Sequence, residues 1–187
     1  MVQISNFFEN FLNKESIFTD KSVLMSSHIP KEILYREEQL QEVANILAPL
    51  LRVEKPSNLF VYGKTGTGKT LALKHICESM LEIAEKNNIP FKPIYINCKL
   101  KRVADTEYRL IAQLIKEFGR TVPSTGLPTD EIYNIFYQLL DQKKLIVLLV
   151  LDEIDQLTKK IGDEILYNLT RINAELKNSQ ICLEGIS

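Results

Sequence analysis

The sequence has 187 residues, of which 45% are hydrophobic and 25% charged, and its formal net charge is −1. That composition suits one core-bearing domain of about 150 residues plus an extension, and it excludes wholesale disorder. A nearly neutral chain is not drawn to nucleic acid as a whole, so any such contact has to come from a local patch.

The first 29 residues are weakly patterned. Phe7, Phe8, Phe11 and Leu12 fall at helical spacing and predict one short amphipathic helix, an arm that packs on its own domain. Asn6, Glu9, Asn10 and Asn13 lie among them, so the basic start and apolar core of a signal peptide are missing. After Pro30, the positions of Ile33, Leu34, Leu40, Val43, Ile46, Leu47 and Leu50 follow a helix period, with Pro30 just before or at its start. Asn58–Tyr62 is a short apolar run closed by a glycine, as a buried strand would be. Helical spacing returns from Lys69 to Lys86 through Leu71, Leu73, Ile76, Met80 and Leu81. Lys92–Asn97 predicts a second strand, with Pro93 at its start, where a missing N–H matters least. Thr106–Phe118 is a helix with Leu110, Ile111, Leu114 and Ile115 on one face, and Gly119–Pro128 is a loop. Thr129 caps the next helix, with Asp130 and Glu131 in its first turn. Leu145–Leu151 is the most apolar strand, Gly162–Lys177 is helical, and Ile181–Ile186 is the final strand, expected to leave one sheet edge uncovered.

Strands alternating with helices imply crossover units and a parallel sheet flanked by helices, an α/β fold with Leu145–Leu151 at its centre. No apolar run reaches the roughly 20 residues of a membrane-spanning helix. Cys77, Cys98 and Cys182 lie far apart in apolar runs without metal-binding spacing, and they read as reduced core thiols of an intracellular, cytoplasmic protein.

Gly63-Lys-Thr-Gly-Thr-Gly-Lys-Thr70 matches G-x-x-x-x-G-K-[ST] in full, between a strand and a helix. Triphosphate oxygens are crowded and highly charged, so binding them takes several N–H donors converging on one point. Glycines let the backbone come close enough, and Gly63, Gly66 and Gly68 supply that freedom. The helix that follows offers its unpaired N–H groups and the positive end of its dipole. Lys69 is predicted to sit between the β- and γ-phosphates and Thr70 to give its hydroxyl to Mg²⁺. Lys64, Thr65 and Thr67 contribute backbone N–H groups, and Leu71 completes the predicted contact set for ATP or ADP. No guanine-reading Asn-Lys-x-Asp motif is present.

Asp152 and Glu153 follow the most apolar strand. Ligands of open α/β sheets sit outside the carboxyl ends of the strands, and the loop after Tyr62 lies at such an end too. Asp152 is therefore predicted to hold, through water, the Mg²⁺ that Thr70 binds, and Glu153 to polarise the attacking water as general base. Asp155, on the same loop, reads as a solvated or capping carboxylate.

The P-loop followed by Val-Leu-Asp-Glu-Ile-Asp155 resembles the AAA+ type of P-loop NTPase, and more narrowly the chain resembles the archaeal origin-recognition initiators of the Orc/Cdc type. The stretches that carry the narrower likeness are the box from His28 to Leu40, the form Val61–Thr70 of the P-loop, Tyr95-Ile-Asn-Cys98, and Leu166–Asn173 leading to Gly185-Ile-Ser187. The resemblance implies an N-terminal extension over 1–29 and a partial AAA+ domain over 30–187, incomplete at the C-terminus. It implies that Leu34, Tyr35 and Arg36 lie near adenine and ribose; packing at a helix start is the alternative for Leu34 and Tyr35. It also implies a DNA-touching insertion near the second strand. Residues 92–120 hold seven Lys/Arg against three Asp/Glu, and Lys99, Lys101 and Arg102 are the candidates for phosphate contact, a solvated basic turn being the alternative.

The implied activity is that of a magnesium-dependent ATPase in a nucleoid-associated replication initiator, which recognises double-stranded origin DNA and helps load the replicative helicase, alongside other initiators. The family's arginine finger, lid and winged helix lie beyond a position matching Ser187, so weak hydrolysis and weak DNA binding are expected. The alternatives are a non-replicative AAA+ ATPase acting on protein partners, and a nucleotide-binding switch without useful turnover.

Overall fold

The computed structural model describes residues 4–14, 16–25, 28–30, 32–54, 57–100, 103–123 and 125–187. By internal contacts the chain divides into residues 1–32 and 33–187. The first unit contains helix α1 (Ile4–Leu12), where helical spacing places it, and a short 3₁₀ turn at Ser22–Leu24.

The second unit carries the sheet. Its elements in chain order are α2 (Glu37–Leu47), β1 (Leu59–Val61), α3 (Lys69–Lys86), β2 (Phe91–Asn97), α4 (Glu107–Glu117), α5 (Thr129–Asp141), β3 (Ile146–Asp152), α6 (Ile154–Ile161), α7 (Glu164–Arg171) and β4 (Gln180–Ile186). Among the described residues the sheet has four strands, mutually parallel, in the order β1-β4-β3-β2. Every residue of β3 is buried, as an inner strand covered on both faces requires. Its alternate side chains enter two cores. Val147, Leu149 and Leu151 join Ile94 and Ile96 of β2 against α4 to α7, whereas Ile146, Leu148 and Val150 join Phe91 against α2 and α3. Among the described residues, no helix is long and apolar enough to cross a membrane.

Several expected boundaries move. The helix expected from Pro30 starts only at Glu37, because Tyr35 takes a left-handed backbone (φ 61°) that no α-helix accommodates. Thr129 is the first residue of α5 and does not cap it: the capping position falls to Pro128, whose side chain cannot accept a hydrogen bond. The single helix expected over Gly162–Lys177 is the two-turn α7 with a 3₁₀ turn behind it, and α6, which the pattern did not announce, precedes it. Pro93 is the third residue of β2 and not its first. The Cys98 N–H donates to the Asp152 carbonyl at 2.8 Å, so the even-numbered N–H groups of β2 face β3 and Pro93 faces the open edge. The last strand leaves no edge uncovered: β4 pairs on both sides, and the edges lie at β1 and β2. Chain order does not encode lateral order in a sheet whose crossovers skip neighbours.

Candidate functional site

The site lies at the carboxyl ends of the strands. There β1 runs into the glycine loop, which runs into α3. Gly66 and Gly68 hold left-handed backbones (φ 79° and 83°), and Gly68 is the residue that caps α3. A side chain at either position would be strained, which is why the loop needs glycine there. The Thr67 hydroxyl donates to the Lys64 carbonyl at 2.8 Å, so this side chain braces the loop. The Lys69 ammonium donates to the carbonyls of Gly63 (2.8 Å) and Lys64 (3.0 Å) and so lies across the mouth of the loop. The first α-helical bond of α3 runs from the Ala72 N–H to the Gly68 carbonyl, at 2.9 Å. The N–H groups of Lys69, Thr70 and half-buried Leu71, ahead of it, are those a helix start leaves without an intrahelical partner, and such groups suit an anion. Arg36, immediately before α2, places its Nε 3.9 Å from where a Cβ on Gly68 would stand, so the box residue reaches the P-loop. Leu34 and Tyr35 are 65% and 93% exposed.

The acidic pair meets the loop from the other side of the sequence. Asp152, the last residue of β3, pairs in register with Asn97 of β2 and is only 5% exposed. The Thr70 hydroxyl donates to Asp152 Oδ2 at 3.0 Å across 82 residues of sequence. The same oxygen accepts from the Tyr95 hydroxyl, and Oδ1 accepts from the Glu153 N–H at 3.0 Å. Burial, and then the bond to Asp152, push the Tyr95 phenol well above its ordinary pKa, so it remains a donor. Glu153 caps α6 in a left-handed conformation (φ 55°), which costs about 1–2 kcal/mol in a residue with a Cβ. Its carboxylate lies 3.7 Å from the Lys99 ammonium. Asp155 is engaged locally: Lys159 reaches it at 3.0 Å and Gln156 at 2.9 Å, and the Lys159 bond holds its carboxyl below the usual value.

Lys99 opens the basic turn after β2; Lys101 and Arg102 lie outside the described residues. The turn is fastened to α6 by Lys160, whose ammonium donates to the Cys98 carbonyl at 3.0 Å and to Asp105 at 3.2 Å. The three cysteines form no disulfide; Cys98 and Cys182 are core residues as expected, whereas Cys77 is only half-buried.

Among the described residues, no group of three or more His, Cys, Asp or Glu side chains could cage a metal ion. What the chain offers is one hydroxyl and one carboxylate 3.0 Å apart beside the glycine loop. Hard oxygens that few in number suit Mg²⁺, which keeps water and phosphate as its remaining ligands. The sequence pattern singles out Thr70, Asp152 and Glu153 but passes over Tyr95. The available signal is the alternation Ile94-Tyr95-Ile96: two fully buried neighbours place the tyrosine on the opposite face, toward α3.

A model of the AAA domain matches residues 52–185. The ORC1-type DNA replication protein of Pyrococcus furiosus is 48% identical over 190 residues, an overlap that takes in 100% of this chain and 44% of that protein. The ORC1-type DNA replication protein 1 of Archaeoglobus fulgidus is 44% identical over 182 residues, with 97% and 44% covered. Among solved structures, the Aeropyrum pernix ORC1 protein in complex with DNA superposes with a TM-score of 0.83 at 39% identity, covering 93% of this chain and 44% of that one. The Aeropyrum pernix ORC2 protein in its ADPNP–ADP complexes shares the fold, with a TM-score of 0.73 at 24% identity and coverage of 91% and 46%. The chain spans less than half the length of each of these relatives.

Proposed function

We propose, because the chain belongs to the AAA domain family, that it is the ATP-binding module of a DNA replication initiator that recognises origins and helps load the helicase. The observation that carries this reading is the hydrogen bond from Thr70 to Asp152, which joins the end of the phosphate loop to the end of the buried strand β3. The names of the archaeal relatives support the replicative role. The Aeropyrum pernix ORC1 protein, solved in complex with DNA, supports DNA as the partner, in this reading the double-stranded DNA of an origin.

In this reading the phosphates enter the loop Gly63–Gly68 and accept from the N–H groups of Lys69, Thr70 and Leu71. The Lys69 ammonium turns from the Gly63 and Lys64 carbonyls toward the β- and γ-phosphates, a short movement of a flexible stem. Arg36, with Leu34 and Tyr35, flanks adenine and ribose. Thr70 and Asp152 would hold magnesium, which would neutralise charge on the phosphate oxygens. Glu153, outside the strand end and one residue past Asp152, takes the proton of the attacking water.

Calorimetric titration with a non-hydrolysable ATP analogue and magnesium tests the proposal. Wild type should bind, and Lys69→Ala should lose binding because the point charge inside the loop is gone. Equal affinity in the two proteins refutes the P-loop reading. Duplex DNA followed by fluorescence anisotropy tests the replicative half: affinity that falls as salt rises supports it, and no affinity at low salt favours an ATPase acting on protein partners.

A further inference from the structure

We infer that Tyr95 is a positioning residue for the metal site, fixing the Asp152 carboxylate so that its remaining lone pair faces the cation held with Thr70. The inference rests on the proposed nucleotide site and adds a residue that the P-loop and the acidic pair do not include.

Strand parity brings the parts together. In β2, Phe91 packs in the core beneath α3; Tyr95, four residues on, projects from the same face. In β3, Ile146, Leu148 and Val150 point into that core, and Asp152 continues their series. Thr70 and Lys74 approach from α3 on the same side. The Asp152 carboxylate thus receives a hydroxyl from the helix, a hydroxyl from the neighbouring strand and a backbone N–H from Glu153. Three donors from three directions leave a buried carboxylate no freedom to turn about its χ2 axis.

The tyrosine is itself held. The Lys74 ammonium sits 4.4 Å from the centre of its ring, a cation–π contact, and the flanking Ile94 and Ile96 are each 2% exposed. Tyr95 is 37% exposed, so its ring is not needed to fill the core; its hydroxyl donates to Asp152 and is also hydrogen-bonded by the Asn97 side chain. The chemistry matches that of partners which orient metal ligands: they hydrogen-bond the ligand and leave the metal alone, and losing one typically costs about 10- to 100-fold in metal affinity.

Tyr95→Phe keeps the ring, the strand and the cation contact and removes only the hydroxyl. The test is calorimetric binding of a non-hydrolysable ATP analogue to wild type and Tyr95→Phe, in EDTA and across a magnesium series, with thermal unfolding of both proteins as a check on the fold. Without magnesium the two proteins should bind equally. The magnesium concentration giving half of the affinity gain should rise about 10-fold or more in Tyr95→Phe. An unchanged or tighter magnesium response in the variant, with wild type responding normally, overturns the role of Tyr95 and leaves the site reading standing. A wild type whose analogue binding is indifferent to magnesium overturns both. Weaker analogue binding in EDTA would mean that Tyr95 shapes the phosphate loop and would also overturn the inference.

Discussion

Glu184 sits in the middle of β4 with none of its surface exposed, and among the described residues neither of its carboxyl oxygens has a hydrogen-bond partner. It faces the core under α3, where its neighbours in β4 are Cys182 and Ile186 and its partners across the ladders are Leu59 and Val150. Burial pushes its pKa from 4.5 up to about 7. Cys77 on α3, whose own pKa is pushed up to about 12 by burial first and Glu184 second, stays neutral and cannot compensate the charge. A carboxyl whose folded pKa is raised is harmless while both states are protonated, below about pH 4.5. Stability then falls as the unfolded chain ionises and the folded chain does not, and the loss levels off above about pH 7 at roughly 3 kcal/mol. That is a large share of the roughly 5–15 kcal/mol that holds a domain together. Glu184→Leu removes the ionisation and fills the same space with apolar atoms. Its unfolding midpoint at pH 8 should exceed that of wild type by roughly 6 to 12 °C, and the difference should shrink toward pH 4.5. The lowered carboxyls of Asp141 and Asp155 act below that window, are common to both proteins and cancel in the comparison. Urea unfolding of both proteins from pH 4.5 to 8.5 reads the effect; parallel stability curves would refute the reasoning.

Gly185→Ala should destabilise the fold by about 1–2 kcal/mol, since its Cβ would stand 2.8 Å from the Ile154 side chain and 3.0 Å from Phe60, and both must yield. Because Ile154 opens α6 directly after Glu153, ATP turnover should drop more than the loss of folded protein explains, a ratio that steady-state kinetics on folded material measures. Glu153→Gln should keep analogue affinity within about twofold and lower hydrolysis by roughly 10²- to 10⁴-fold, as removal of a general base does. Turnover equal to that of wild type would refute Glu153 as the general base.

Chemistry that comes in fixed spacing is legible in the sequence. The P-loop needs two glycines, a lysine and a hydroxyl at set positions, and an apolar strand ending in Asp-Glu declares a sheet end. The meeting of Thr70 with Asp152 follows from those two signs, because strands of a parallel sheet end on one side. Lateral order leaves no such trace: the pattern suggests an edge for β4, which lies between β1 and β3. Tyr35 hides the start of α2, since the helical spacing of Ile33 and Leu34 continues across a residue whose backbone turns left-handed. Helix α6 is two turns long and begins inside the acidic motif, where the pattern of charges masks Ile154 and Leu157, both buried. Tyr95 reads as one more strand aromatic, and only the pairing of β2 with β3 shows what its hydroxyl touches. Glu184 breaks an otherwise apolar strand, and its cost is set by surroundings that no local pattern describes.

In the proposed site, magnesium and a triphosphate are held between Thr70 and Asp152. A crystal structure of the chain grown with a non-hydrolysable ATP analogue and magnesium tests this arrangement directly. The expected result is a metal bound about 2.1 Å from Thr70 Oγ1, with the Asp152 carboxylate in its inner or water-bridged shell and the β- and γ-phosphates inside Gly63–Thr70. A nucleotide seated elsewhere, or a metal bound away from both side chains while Thr70 and Asp152 keep their mutual hydrogen bond, would contradict it.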